Sequence, residues 1–416
     1  MTTLLRLIIP FAFGYMLSYL FRVIGAVVSP ALVDELGLDA STLGLISSFY
    51  FLTFAACQLP LGVMLDRIEV RKLTAALLLI AAAGSLVFAT AETATGLLIG
   101  RGLIGIGVSA CLMGAFKAYV LWLPTARLPL VNGIQLSSGG IGAMLATTPV
   151  ELALGITDWR GLFIAMAGLC MLASLLLWFL VPKRAVEATT GTPEHPLRTV
   201  LGIVRDPRFY CVAPASLLCS STFIAVQSLW AGDWLREVMQ RSPTEAADLL
   251  FVMACGVISG FLLMGLIADR LQHLGLPPRN LSLAGILIFV SLMILLQFDG
   301  GAPNAILWAL LGFFSTSGSL MFASLAQQFP RHQSGRVSTS LNLGIFVSAF
   351  LIQWGLGGIV ELWEADSAGH YPAAAYRVAF ALAAAIPAAG LLWYWLSAAR
   401  LNAVRRQPDR PKASST

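Results

Sequence analysis

The sequence predicts an all-α membrane protein, with twelve transmembrane helices in two pseudo-symmetric six-helix bundles. Three observations lead there: an apolar composition, twelve apolar segments, and a short pattern that recurs at matching places in the two halves. Of the 416 residues, 58% are hydrophobic and 11% charged, against about 25% charged in a soluble domain. At a mean hydropathy of +0.82 there is too little polar surface to cover a water-facing globule. A soluble enzyme, a secreted disulfide scaffold and a disordered chain are excluded on this ground.

A span takes about 20 apolar residues. Runs broken by charge, Gly or Pro predict spans near residues 8–32, 42–65, 73–91, 96–122, 129–154 and 161–181, then 210–235, 246–268, 281–298, 303–327, 337–360 and 376–398. The first run follows a single basic residue, Arg6, and no small-residue cleavage site follows it, so it reads as a span and not a leader. The longest polar interruption sets the organisation: an N-terminal bundle over 1–182, a cytoplasmic linker over 183–208, a C-terminal bundle over 209–400 and a basic tail over 401–416.

The net charge of +5 is explained by where the charges lie. With the N-terminus inside, nineteen of the 26 Lys and Arg fall in cytoplasmic segments and four outside. That bias places both termini in the cytoplasm of a cell with the chain in its plasma (inner) membrane. The partners expected are the lipid bilayer and a small molecule, with no nucleic acid, and the chain is expected to be a monomer. Cys57, Cys111, Cys170, Cys211, Cys219 and Cys255 lie in apolar stretches without metal-ligand spacing. The twelve Met contain no Met-x-x-x-Met, the four His lie outside the spans, and no Walker lysine motif is present. No cofactor, metal or catalytic constellation is expected, and the protein is not read as an enzyme.

The internal repeat decides the architecture. Span 2 ends in Gly62-Val-Met-Leu-Asp66-Arg67, followed by Arg71-Lys72, and span 8 ends in Gly265-Leu-Ile-Ala-Asp269-Arg270, 203 residues later. Duplicated halves of this kind are built by transporters. These residues resemble the major facilitator superfamily, whose signature loop between helices 2 and 3 matches Gly62…Asp66-Arg67…Arg71-Lys72. Arg101-Gly-Leu-Ile-Gly105-Ile-Gly107 in span 4 and Asp158-Trp159-Arg160…Phe163 before span 6 add to the resemblance, which runs to about residue 400. One departure matters. The Gly-Pro dipeptide of proton-driven drug antiporters is missing from span 5, where Gly139, Gly140 and Gly142 precede Pro149 without it.

The resemblance implies that helices 1, 4, 7 and 10 line a central cavity and that 3, 6, 9 and 12 face lipid. The sequence agrees independently, because spans 3, 6, 9 and 12 carry no charge in their apolar cores, and intramembrane charge marks the interior. Helical spacing puts Tyr15, Ser18, Tyr19, Arg22 and Ser29 on one side of span 1, and Ser216, Ser220, Phe223, Gln227, Trp230 and Trp234 on one stripe of span 7. Span 11 offers Asn342, Phe346 and Gln353. The candidate substrate residues are Arg22, Tyr19, Tyr15, Lys117, Gln227, Trp230 and Asn342. For lone serines the plainer reading is interhelical glue.

Arg22 carries most weight, since it lies about fifteen residues into span 1, too deep to snorkel. No acid in the cavity-lining spans stands at its depth, and a guanidinium grips a carboxylate or phosphate bidentately. Tyr19-Leu-Phe-Arg22 also resembles the Tyr-x-x-Arg of the first helix of organophosphate antiporters. Arg101 and Glu151 fall at similar depths and are expected to form an ion pair, structural or proton-coupling, while Asp233 is expected to be interfacial. For gating, Asp66 is expected to reach toward span 11 and Asp269 toward span 5, beside Arg127 and Arg336, with Arg67, Arg71 and Arg270 in the same loops. The reading is a secondary transporter working by alternating access on a small organic anion, a carboxylate or phosphate ester. The alternatives are a proton-driven drug or metabolite exporter using Glu151 or Asp233, and a transporter-shaped membrane sensor.

Overall fold

The computed structural model describes residues 2–124, 127–183, 196–298, 305–326, 328–329, 331–366 and 370–406, and its regular elements there are all helical. Span 1 is Thr2–Val23 and Gly25–Leu36, span 2 Ala40–Arg67 and span 3 Val70–Ala89. Span 4 is Ala94–Val108 and Cys111–Trp122, span 5 Leu128–Leu145 and Thr148–Leu154, and span 6 Trp159–Leu180. In the second half, span 7 is Pro207–Ala225 continued through two π-helical stretches, Val226–Trp230 and Trp234–Val238. Span 8 is Pro243–His273, span 9 Pro278–Leu295, span 10 Ala305–Ser315 and Ser317–Ala326, span 11 Arg331–Val360 and span 12 Ala373–Arg406.

Among the described residues eleven helices are long and apolar enough to cross a membrane. Span 5, expected as one run, is the twelfth and is broken at Ala146–Thr147. The cause is Pro149, which has no N–H for the Leu145 carbonyl but suits the first turn of a new helix. Of the expected linker, residues 184–195 lie outside the described residues, and Pro196–Val204 is a short helix. Span 12 runs on to Arg406, past the expected start of the tail, whose residues 407–416 lie outside the described residues.

Short polar side chains start the helices. Asp39 accepts from the Thr42 N–H at 2.6 Å, Asp158 from Gly161 at 2.7 Å, and Ser242 with Glu245 forms a reciprocal capping box at span 8. Such caps matter at membrane surfaces, where the first N–H groups of a helix have no partner of their own.

Inside the bilayer a freed carbonyl must find a donor. Pro30 and Pro214 each leave the carbonyl four residues earlier without its helical N–H, and in both cases a distant side chain supplies one. Arg236 Nη1 donates to the Ala26 carbonyl at 3.0 Å, and Trp393 Nε1 to that of Tyr210 at 2.8 Å.

Glycine sets how closely the helices meet. A Cβ on Gly142 of span 5 would overlap the Met16 carbonyl of span 1. Gly105 of span 4 lies in the same way on the Tyr50 carbonyl of span 2, and Gly256 of span 8 on that of Ala309 in span 10. The second and fourth helices of each half therefore touch backbone to backbone. Gly62, near the end of span 2, has nothing within 4 Å of the place a Cβ would occupy. Thermal unfolding in detergent should separate the two environments. Gly142→Ala should lose about 1–3 kcal/mol of stability through forced displacement, whereas Gly62→Ala should be neutral or gain roughly 0.5–1 kcal/mol from helix propensity.

Candidate functional site

The bundle has a basic face, carrying Asp66-Arg67 and Asp269-Arg270, and a far face opposite. At the far face the two halves are tied together. Arg236 of span 7 donates to Ser29 Oγ of span 1 at 3.0 Å and to its own Asp233 at 2.6 Å, and Ser29 Oγ donates to Asp233 at 3.4 Å. Thr148 of span 5 donates to Asp248 of span 8 at 2.8 Å. Gly44 and Gly357 bring spans 2 and 11 into backbone contact, and the Tyr371 hydroxyl accepts from the Ala40 N–H at 3.5 Å.

Asp233 is thus not interfacial as expected: it is 8% exposed and sits in the junction. Arg236, three residues after Asp233, shares its helical face. Two further contacts finish this face. His370 Nδ1 lies 3.0 Å from a Glu237 carboxylate oxygen. Glu35 accepts from Trp159 Nε1 at 2.6 Å and from Arg160 at 2.6 and 3.2 Å. Arg160 also donates to the carbonyls of Ala89 and Ala91, so the Trp159-Arg160 pair clamps span 1, span 6 and the loop after span 3.

Arg22 occupies the middle. It is 8% exposed, and its guanidinium carbon lies 4.2 Å from the Tyr19 ring centroid, 5.0 Å from Phe346 and 5.8 Å from Phe54. Among the described residues no carboxylate pairs with it, and its Nε has no hydrogen-bond partner. Phe54 and Phe346 come from spans 2 and 11 and meet each other at 4.5 Å, so the guanidinium sits where the halves join. Phe54 carried no signal in the sequence, being one Phe in an apolar helix.

Beside it lies a cavity of about 40 Å³ between spans 1, 5, 7 and 8. Tyr15, Tyr19, Gln227, Ala254, Val257 and Phe261 line it, with Leu136, Gly140 and Ala143 of span 5. Gly139 lets span 5 come this close, since a Cβ there would strike both tyrosine rings. Tyr15 and Tyr19 meet edge to face at 5.2 Å. The Tyr19 ring therefore touches both the cavity and the Arg22 guanidinium.

Three of the expected cavity residues are elsewhere or uncommitted. Lys117 pairs with Asp66 at 2.5 Å and donates to the Leu65 carbonyl, at the basic face. Its long stem lets the ammonium reach that surface. Trp230 is 1% exposed, donates to the Gln353 carbonyl at 3.0 Å and packs on Gly44, because the π-helical stretch turns it toward span 11 and away from the cavity. Asn342 is half-buried on span 11.

The expected Arg101–Glu151 pair is not formed. Arg101, 2% exposed, donates to the Phe21 carbonyl at 2.9 Å beside the break in span 1, with its guanidinium carbon 5.1 Å from the Phe88 ring and 5.7 Å from Phe163. Its side chain points into its own half, while Glu151 is carried on the short helix after the span 5 break. Equal depth did not mean a shared face.

Among the gating candidates, Asp66 is held by Lys117 within its half. Arg71 donates to Glu69 at 2.5 Å and to the Trp178 carbonyl at 2.8 Å, and so ties the loop to span 6. Asp269 lies 3.9 Å from His273. Arg67, Arg127, Arg270 and Arg336 are exposed.

Residues 11–352 match the family model described as Major Facilitator Superfamily. The "Probable sulfoacetate transporter" of Cupriavidus necator is 24% identical over 368 residues, 83% of this chain and 85% of the relative. The "Probable hexose phosphate transport protein" of Chlamydia muridarum is 22% identical over 398 residues, 84% of each chain. The solved structure of the nucleoside transporter NupG superimposes with a TM-score of 0.76 at 14% identity, covering 95% of this chain and 99% of that one.

The far-face histidine has a pH signature. The Glu237 carboxylate beside His370 raises its pKa above the ordinary value, and Asp366 and Asp34 add in the same direction. A raised folded-state pKa contributes stability below the ordinary histidine pKa and loses it as pH rises through the raised value. The thermal midpoint of wild type should exceed that of His370→Gln at about pH 6, and the gap should close above about pH 8. A gap independent of pH would show that the contact carries no charge.

Proposed function

The chain belongs to the Major Facilitator Superfamily, and from that premise we propose that it moves a small organic anion across the cell membrane by alternating access, with Arg22 meeting the anion's charge. One observation carries the reading: a buried guanidinium, at the seam of the two halves and beside a cavity, with no carboxylate among the described residues. Keeping an arginine at that depth costs at least ~2.5 kcal/mol. Ring faces offset roughly 0.5–2 kcal/mol each, and the Tyr50 hydroxyl offers the guanidinium an oxygen, but none of these groups carries a negative charge. A carboxylate or phosphate supplies both charge and acceptors.

Two relatives bear names of anion transporters, for sulfoacetate and hexose phosphate, and this supports the charge class. With both termini cytoplasmic, the far face is the outer one, and the contacts of Arg236, Thr148 and Gly357 form a closed outer gate. In the alternate state these separate, and Asp66 and Asp269 reach across to spans 11 and 5 to close the basic face.

Reconstituted protein tests this. Counterflow of a labelled panel of carboxylates, sulfonates and phosphate esters should find a substrate whose transport Arg22→Ala abolishes. Arg22→Lys should fold normally and bind more weakly by about tenfold or more, because an ammonium cannot copy the bidentate fork. Transport by Arg22→Ala at the wild-type rate would remove the anion reading.

A further inference from the structure

We propose, building on that reading of Arg22, that the substrate carries a single negative charge on an apolar or aromatic body, as in an arylcarboxylate or a short fatty acid. Two independent features of the site point this way, the number of available cations and the chemistry of the cavity wall.

Every other cation described at membrane depth is already engaged. Lys117 is neutralised by Asp66 at 2.5 Å and Arg236 by Asp233 at 2.6 Å. Arg101 is closed inside the N-terminal half by the Phe21 carbonyl and the rings of Phe88 and Phe163. That leaves one positive charge beside the cavity. A monoanion cancels it. A dianion would leave a net negative charge in a low-dielectric site, where an unmatched charge is expensive.

The wall selects the body. Its polar side chains are those of Tyr15, Tyr19 and Gln227, while Leu136, Ala143, Ala254, Val257 and Phe261 are apolar. A sugar acid or sugar phosphate would bury several hydroxyls against that surface without partners, at roughly 1–3 kcal/mol each. An aromatic ring or alkyl chain loses nothing there and gains contact with the tyrosines.

Isothermal titration of the full-length protein in detergent, near neutral pH, with benzoate, sulfoacetate and glucose 6-phosphate tests this. Benzoate should bind at least about tenfold more tightly than either dianion, and Arg22→Ala should abolish its binding. Gln227→Lys, which adds a second cation to the cavity, should move the preference at least about tenfold toward the dianions. This second variant decides the matter should Arg22→Ala not fold. A dianion that outcompetes benzoate in wild type and is lost in Arg22→Ala overturns the single-charge inference and leaves the Arg22 anion site in place. An unchanged preference in folded Gln227→Lys also overturns it, as does failure of benzoate to bind wild type. Binding of all three ligands unaffected by Arg22→Ala, in a variant that keeps its thermal midpoint, overturns the Arg22 reading itself.

Discussion

A guanidinium held away from water must be compensated, and in this protein the compensation of Arg22 organises the centre of the molecule. Three aromatic faces from spans 1, 2 and 11 surround it, and no described carboxylate does. Contrast the other deep cations. Arg236 has Asp233, Lys117 has Asp66, and Arg101 has a backbone carbonyl exposed by the break in span 1. Each of those groups is part of the scaffold because its partner is. Among the described residues Arg22 has aromatic rings and the Tyr50 hydroxyl about it but neither an acid nor a backbone carbonyl, and its Nε, like that of Arg101, meets no acceptor, a state suited to a partner that comes and goes.

The same economy of polar groups explains how the halves hold together at the far face. Proline breaks a helical hydrogen bond, which in lipid cannot be left open. At Pro30 the freed Ala26 carbonyl is taken by Arg236 from the other half, so a local irregularity in span 1 becomes an interdomain contact. Glycines at 44 and 357 bring the neighbouring pair of helices to backbone distance. The seam is apolar as well, since Trp230 packs on Gly44 and Phe54 meets Phe346 across it. The contacts of Asp66 and Arg71, by comparison, stay within one half.

Much of this was legible in the sequence, and the reasons differ residue by residue. Twelve spans follow from length and hydropathy, and the duplicated Gly-x-x-x-Asp-Arg pattern fixes the halves. Tyr15, Tyr19 and Gln227 line one cavity, with Arg22 against Tyr19, and charge cost and helical phase single them out because both act locally, within one helix. Trp230 was misplaced because a π-helical stretch changes the phase that a 3.6-residue count assumes. Arg101 and Glu151 were matched by depth, but depth says nothing of azimuth around the bundle. Phe54 and the Ser29–Arg236 contact depend on which helices become neighbours, information that periodicity along one segment does not contain.

The central claim, that Arg22 receives a transported anion, is tested most directly by anomalous diffraction from crystals grown with 4-bromobenzoate. The predicted result is a bromine peak between spans 1, 5, 7 and 8, with the carboxylate within about 3 Å of the Arg22 guanidinium and the ring against Tyr15 or Tyr19. A bound ligand whose carboxylate meets Lys117, or any site that leaves Arg22 enclosed only by its aromatic rings, would contradict it.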